Sequence, residues 1–209
     1  GSLIFDKGLN LFRVTTDPEV RAPAKVYDMV KQWGDKHGKS FDTAKTEAGR
    51  ILEAVRLHGL RDSNRAGTTD FPLHMTDAQI DQLYSEYTSD PLLREMNALM
   101  DESRIAMVDN LVTAGRISKE VGEEWKSVVG YVPFDRVEDL AARFRPQKKL
   151  GRGLAQLGAL PNLVGSEKRP VKNAFDNYIS TMGWMVNQTI RSTATLRTLR
   201  ALEKIQKAK

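Results

Sequence analysis

Apolar residues in this chain recur at three- and four-residue steps rather than in alternation, which predicts one helix after another. Val26, Met29, Val30 and Trp33 form the first stripe. Ahead of it, Thr16-Asp17-Pro18-Glu19 is a helix-start signal, a capping side chain followed by an early proline. Pro23 disturbs that opening, so the regular helix is expected from near Arg21 to about His37, with Gly38 where a left-handed C-cap belongs. The stretch before Thr16 alternates weakly and reads as an extended arm or a short helix.

Ser40 caps a second helix whose buried face carries Phe41, Ala44, Ala48, Ile51, Leu52 and Val55. This helix is expected to end near Leu60, with Asp62 to Asp70 a polar loop. Thr76-Asp77-Ala78-Gln79 is a capping box and opens a short helix with Ile80, Leu83, Tyr84 and Tyr87. Ser89-Asp90-Pro91 ends it and starts the next at once. That fourth helix, Pro91 to about Ala114, carries Leu92, Leu93, Met96, Met100, Ile105, Met107, Val108, Leu111 and Val112, and Gly115 stops it. Ser118 then caps a short helix with Val121 and Trp125.

Beyond it, Gly130-Tyr131-Val132-Pro133-Phe134 reads as extended, because proline restrains its predecessor and cannot donate a hydrogen bond. A brief helix with Val137, Leu140, Ala141 and Phe144 follows. Arg145 to Gly165 is rich in glycine, proline and basic residues and resists a regular element. A final helix of about 40 residues is expected with Pro170 early in it. Phe175, Ile179, Met182, Val186 and Ile190 space its first half, and Leu196, Leu199, Leu202 and Ile205 its second. Thr189, Ser192, Thr193 and Thr195 are poor helix formers and mark a weak point or bend. The expected fold is all-α, an irregular bundle of six to seven helices with a long C-terminal one. It divides into a helical domain over 1–144, a basic Gly/Pro-rich loop over 145–169 and the long helix over 170–209, the last joining the same domain or serving as an interaction arm.

Composition changes this picture in three places. At 40% hydrophobic residues there is enough apolar material for a core, and no run reaches the ~18 consecutive apolar residues that span a bilayer. Zero cysteines excludes disulfides, thiolate nucleophiles and Cys-ligated zinc. His37, His58 and His74 are scattered, without metalloprotease spacing or an obvious carboxylate partner, and read as surface or helix-end residues. Gly1-Ser2 looks like a cloning scar and the last helical pattern runs into Lys209 without a stop, so an excised fragment is expected.

Charge is the third. Residues 145–209 carry 13 Lys/Arg against Glu167, Asp176 and Glu203, a net of +10, which leaves −5 for residues 1–144. Such a split fits either a polyanionic partner or pairing between the two parts. Arg143, Arg145, Lys148, Lys149, Arg152, Lys168, Arg169 and Lys172 could contact the phosphates of DNA or RNA, or they form a solvated loop. Beyond Phe144, which belongs to the stripe of the brief helix, no aromatics are interleaved, so base stacking is not indicated. GRGLAQLG at 151–158 lacks the strand and the terminal Gly-Lys-Ser/Thr that a phosphate-cradling loop requires. The neighbouring carboxylates Asp101-Glu102 and Glu123-Glu124 point about 100° apart on a helix and make no acid/base dyad. No catalytic residue, cofactor site or metal site emerges.

One constellation adds to the pattern. The segment NLVTAGRISKEVGEEW from Asn110, followed by KSVVGYVPFDR, resembles the large polyvalent protein-associated regions of long phage and mobile-element polypeptides. The resemblance is firmest across residues 75–136, through Leu-Val-x-Ala-Gly, Ile-Ser-x-Glu and the hexamer Tyr131, Val132, Pro133, Phe134, Asp135, Arg136. It implies a non-catalytic helical module, set among transglycosylase, protease or polymerase modules in some relatives. Its place would be the virion or the host cytoplasm after delivery with phage DNA. The implied partners are other regions of a larger polypeptide, other virion proteins or a second copy, and an accessory role to a phage enzyme is the alternative. Tyr131, Val132 and Phe134 would dock an extended segment on the helices, with Arg136 pairing to a carboxylate or to helix-end carbonyls.

Overall fold

The computed structural model describes residues 17–67, 74–127 and 173–207. All elements among them are helices, and there are six: α1 Pro18–Lys36, α2 Phe41–Arg65, α3 Asp77–Ser89, α4 Pro91–Thr113, α5 Lys119–Ser127 and α6 Ala174–Lys207. The architecture is an all-α multi-helix bundle. The expectations for residues 1–16, for the hexamer Tyr131 to Arg136, for the brief helix at 137–144 and for the basic run from Arg143 to Lys172 lie outside the described residues.

α4 is the centre of the bundle and touches all five other helices. Leu93, Met96, Met100, Met107, Val108 and Leu111 bury its inner side against Val26, Met29, Val30 and Trp33 of α1, Ala44, Ala48, Ile51 and Leu52 of α2, and Phe175, Tyr178, Met182 and Met185 of α6. Ala54 and Leu57 of α2 join Met75 and Ile80 in a smaller second cluster. All seven methionines of the chain are buried. Their unbranched, flexible thioethers fill irregular gaps between packed side chains.

Helix ends follow their local chemistry closely. α1 and α4 both close in Schellman geometry: Lys39 N–H bonds the Gly34 carbonyl and Arg116 N–H the Leu111 carbonyl, both across glycines in the left-handed region, Gly38 at φ 64° and Gly115 at φ 65°. The capping box at Thr76 and Gln79 is formed in both directions. Ser40 accepts from Thr43 N–H and Ser118 from Val121 N–H.

Three boundaries differ from the sequence expectation. α1 begins at Pro18 rather than near Arg21, because proline's fixed φ suits the first turn and the Asp17 carbonyl already receives Val20 and Arg21 N–H. α2 runs on to Arg65, a turn beyond Leu60. Its extra turn is drawn onto α3 by two pairs, buried Arg61 with Asp81 at 2.7 Å and Arg65 with Asp77 at 2.5 Å. α6 begins at Ala174, not around Pro170, because Asn173 takes the N-cap and accepts from Phe175 N–H at 3.0 Å.

The Thr/Ser-rich stretch does not break α6, which is continuous to Lys207. Thr195 and Thr198 donate back to the Arg191 and Ala194 carbonyls and so satisfy their hydroxyls within the helix. Burial, however, stops at Val186. Of the later residues whose side chains are described none is buried, and Ile190 is 59% exposed.

Candidate functional site

The chain Ser89-Asp90-Pro91 gives α3 and α4 a shared boundary of a single residue. Asp90 N–H bonds the Glu86 carbonyl and ends α3, while its own carbonyl receives Arg94 N–H and its Oδ1 caps α4 through Leu92 N–H at 2.9 Å. The other carboxylate oxygen accepts the Trp33 indole N–H at 3.0 Å, which ties the end of α1 to the same point. Lys36 Nζ lies 3.4 Å from Oδ2, and His37 Nε2 lies 3.8 Å from it. One residue, its carboxylate 12% exposed, thus joins three helix ends, α3 through its backbone N–H and α1 and α4 through the carboxylate.

Burial pushes the Asp90 carboxyl up, but the Leu92 amide, the Trp33 indole and Lys36 together outweigh it and hold the group below its ordinary range. A carboxyl held lower in the fold than in the unfolded chain contributes stability above the unfolded value, about 4, and that contribution is lost as pH falls through and below it. The thermal midpoint is therefore expected to drop as pH is lowered from about 5 towards 3. Asp90→Asn retains the cap, costs about 1 kcal/mol at neutral pH and flattens part of that acid limb. A variant whose midpoint runs parallel to the parent's across this range would remove Asp90 from the account.

Around this junction lies a cleft of about 340 Å³. Trp33, Ile51 and Leu93, all buried, and half-buried Leu83 supply its apolar lining. His37, Lys39, Glu47, Arg50, Glu86 and Ser89 bring polar groups to it. Lys39 pairs with Glu47 and sits over the Trp33 ring, 5.0 Å from its centroid. Glu86 accepts from Gln82 at 3.2 Å. The Ser89 hydroxyl donates to the Glu86 carbonyl at 2.9 Å, and the 3.8 Å between His37 and Asp90 exceeds a hydrogen bond. Serine, histidine and aspartate are neighbours here, but their bonds tie down helix ends and do not assemble an activated nucleophile.

Other polar side chains have similar work. Arg104, 4% exposed, donates from Nε and Nη2 to Asp101 at 3.1 and 2.7 Å, and from Nη1 to the Trp125 carbonyl of α5 at 2.6 Å. Asp101 is thus an anchor for Arg104, and α4 and α5 are joined through it. Tyr178 of α6 meets Ser103 of α4 at 2.6 Å inside the core. Burial pushes that phenol well up, only partly opposed by the Ser103 bond, so it stays protonated.

Each histidine does have a carboxylate nearby, contrary to the sequence expectation. His74 Nε2 lies 3.0 Å from Glu53, His58 Nδ1 3.5 Å from Asp62 and His37 as above. Asp62 is one helical turn from His58, a neighbour the spacing already offered. The other two partners come from distant segments. Three separate pairs make no common site, and no group of three or more His, Cys, Asp or Glu able to hold a metal occurs among the described residues. No helix among them is long and apolar enough to cross a membrane.

Arg50, Arg104 and Asn173 carry no sequence signal of these positions, and Asp90 reads in the sequence only as a helix boundary. A buried indole needs an acceptor, so Trp33 carried a signal that some carboxylate or carbonyl would reach it. Comparison with family models, curated proteins and solved structures finds no match to this chain.

Proposed function

We propose that this chain is a non-catalytic structural and interaction module of a large phage protein, acting in an internal virion complex or one delivered into the host. The observation that carries the reading is α6. Its first turns lie in the core, yet the helix continues from Asn187 to Lys207 with no described side chain buried. At 1.5 Å per residue this is an extension of about 30 Å. A helix with Ile190 presented to solvent and a 3–4-residue apolar spacing at Leu196, Leu199 and Leu202 in its sequence is a contact arm for another helix. The resemblance of residues 75–136 to polyvalent phage regions supplies the setting.

Size-exclusion chromatography with light scattering, on this chain and on the longer protein, tests the reading. Association through α6 is expected in at least one of them. Ile190→Asp is expected to weaken it while changing stability by less than about 0.5 kcal/mol, as for other surface sites. A strict monomer without partners in both settings would discard the proposal.

A second reading is favoured by the net +10 of residues 145–209: binding of DNA or RNA through this basic part. It predicts a complex that weakens steeply with salt, measured by gel mobility and by titration at several ionic strengths. No mobility shift at low salt, or a flat salt response, removes it.

A further inference from the structure

The geometry points to the Asp90 cleft as a binding site for a carboxylate joined to an apolar body, with Arg50 receiving the carboxylate. This inference goes beyond the assembly reading and does not depend on it. The cleft's volume of about 340 Å³ falls within the size range of small-ligand sites. Its apolar lining of Trp33, Ile51, Leu83 and Leu93 favours an aliphatic or aromatic body.

The charges around it decide the polar end of the ligand. Three carboxylates line the cleft: Asp90 is engaged by the Leu92 amide, the Trp33 indole and Lys36, Glu47 by Lys39, and exposed Glu86 accepts one bond from the neutral Gln82 amide. Lys39 is spent on Glu47 and the indole face. Arg50 lines the same cleft, is exposed, and has no hydrogen bond or ion pair to any described residue. A guanidinium is always charged and offers a planar fork of donors that fits a carboxylate. Beside an apolar wall it selects an anion that carries its own apolar part.

Two sources present that chemistry, a free aliphatic acid and the C-terminal residue of a peptide. Octanoate and N-acetyl-leucyl-leucine are the respective probes, with octan-1-ol as the uncharged control. The indole N–H resonance of Trp33, identified by Trp33→Phe, reports occupancy because that proton lies in the bond to Asp90 at the cleft. A saturable shift of this resonance is expected with at least one acid, at least about tenfold tighter than with octanol. The tighter of the two probes tells which source the cleft prefers. Arg50→Gln, at an exposed position and checked for an unchanged thermal midpoint, is expected to weaken the acid about tenfold and to leave octanol unaltered. No saturable shift with either acid up to about 20 mM, far above a millimolar dissociation constant, would overturn the proposal. So would an Arg50→Gln chain that binds the acids undiminished, or one that loses acid and octanol alike.

Discussion

Gly49→Ala is expected to lower the melting midpoint by about 4–8 °C, an unusual result for a helix interior, where alanine normally stabilises by up to 1 kcal/mol. Gly49 lies in the middle of α2, directly under Asn173. A Cβ there would stand 2.8 Å from Asn173 Cγ and Oδ1, and closer still to Nδ2. The whole amide must leave. With it go the N-cap of α6 on Phe175 and the bond from Nδ2 to the Lys45 carbonyl at 2.9 Å. The adjacent Lys45–Asp176 pair at 2.9 Å is disturbed as well. A lost cap and a lost hydrogen bond cost about 1 kcal/mol each, displacement adds about 1, and the helix gain offsets part, leaving about 2 kcal/mol. The control is a double-mutant cycle. Once Asn173→Ala has vacated the space, Gly49→Ala should become neutral or stabilising; a cost that stays unchanged in that background would refute the contact.

Arg104→Met is expected to cost about 3 kcal/mol, the other large effect. Methionine fills much of the same volume but leaves the Trp125 carbonyl without its 2.6 Å donor and Asp101 without its cation. Asp101 keeps some solvent access, which places the loss at the lower end for broken buried pairs. The damage should be local first. Gly122 packs against Val112 so tightly that an added Cβ would come within 2.6 Å of Cγ2, and this seat depends on α5 being held at its far end. Amide hydrogen exchange should therefore speed up in α5 before the rest of the bundle, with calorimetry giving the total. Uniform acceleration across all six helices would show that Arg104 supports the whole core rather than the α4–α5 joint.

These two sites mark the boundary of what the sequence reveals. Stripes such as Val26, Met29, Val30 and Trp33 are legible because helical periodicity is a local property, and every member of that stripe is buried. The stops at Gly38 and Gly115 and the capping box at Thr76 are legible for the same reason. Asn173 over Gly49 is not, since the two are brought together only by the crossing of α6 on α2. Likewise the sequence ends this helix near Leu60, because nothing local shows that Asp81 of α3 lies alongside Arg61. Arg50 looks like any other exposed charge in the sequence, and it stands out only because its neighbours in the cleft already have partners. The residues proposed from sequence for phosphate contact, Arg143 to Lys172, and the docking hexamer at Tyr131 lie outside the described residues, so the nucleic-acid reading rests on charge alone.

The complete burial of the methionines has a consequence for oxidative chemistry. The six methionines that lie on helices are at most 6% exposed, so sulfoxide forms at them chiefly when a helix swings away, whereas Met75, at 9% and ahead of α3, is the most accessible. Each oxidised sulfur is then too polar to return to its place between helices, and the opened form is retained. Slow unfolding events would thus be recorded one after another as added oxygen atoms, first at whichever helix is held least firmly.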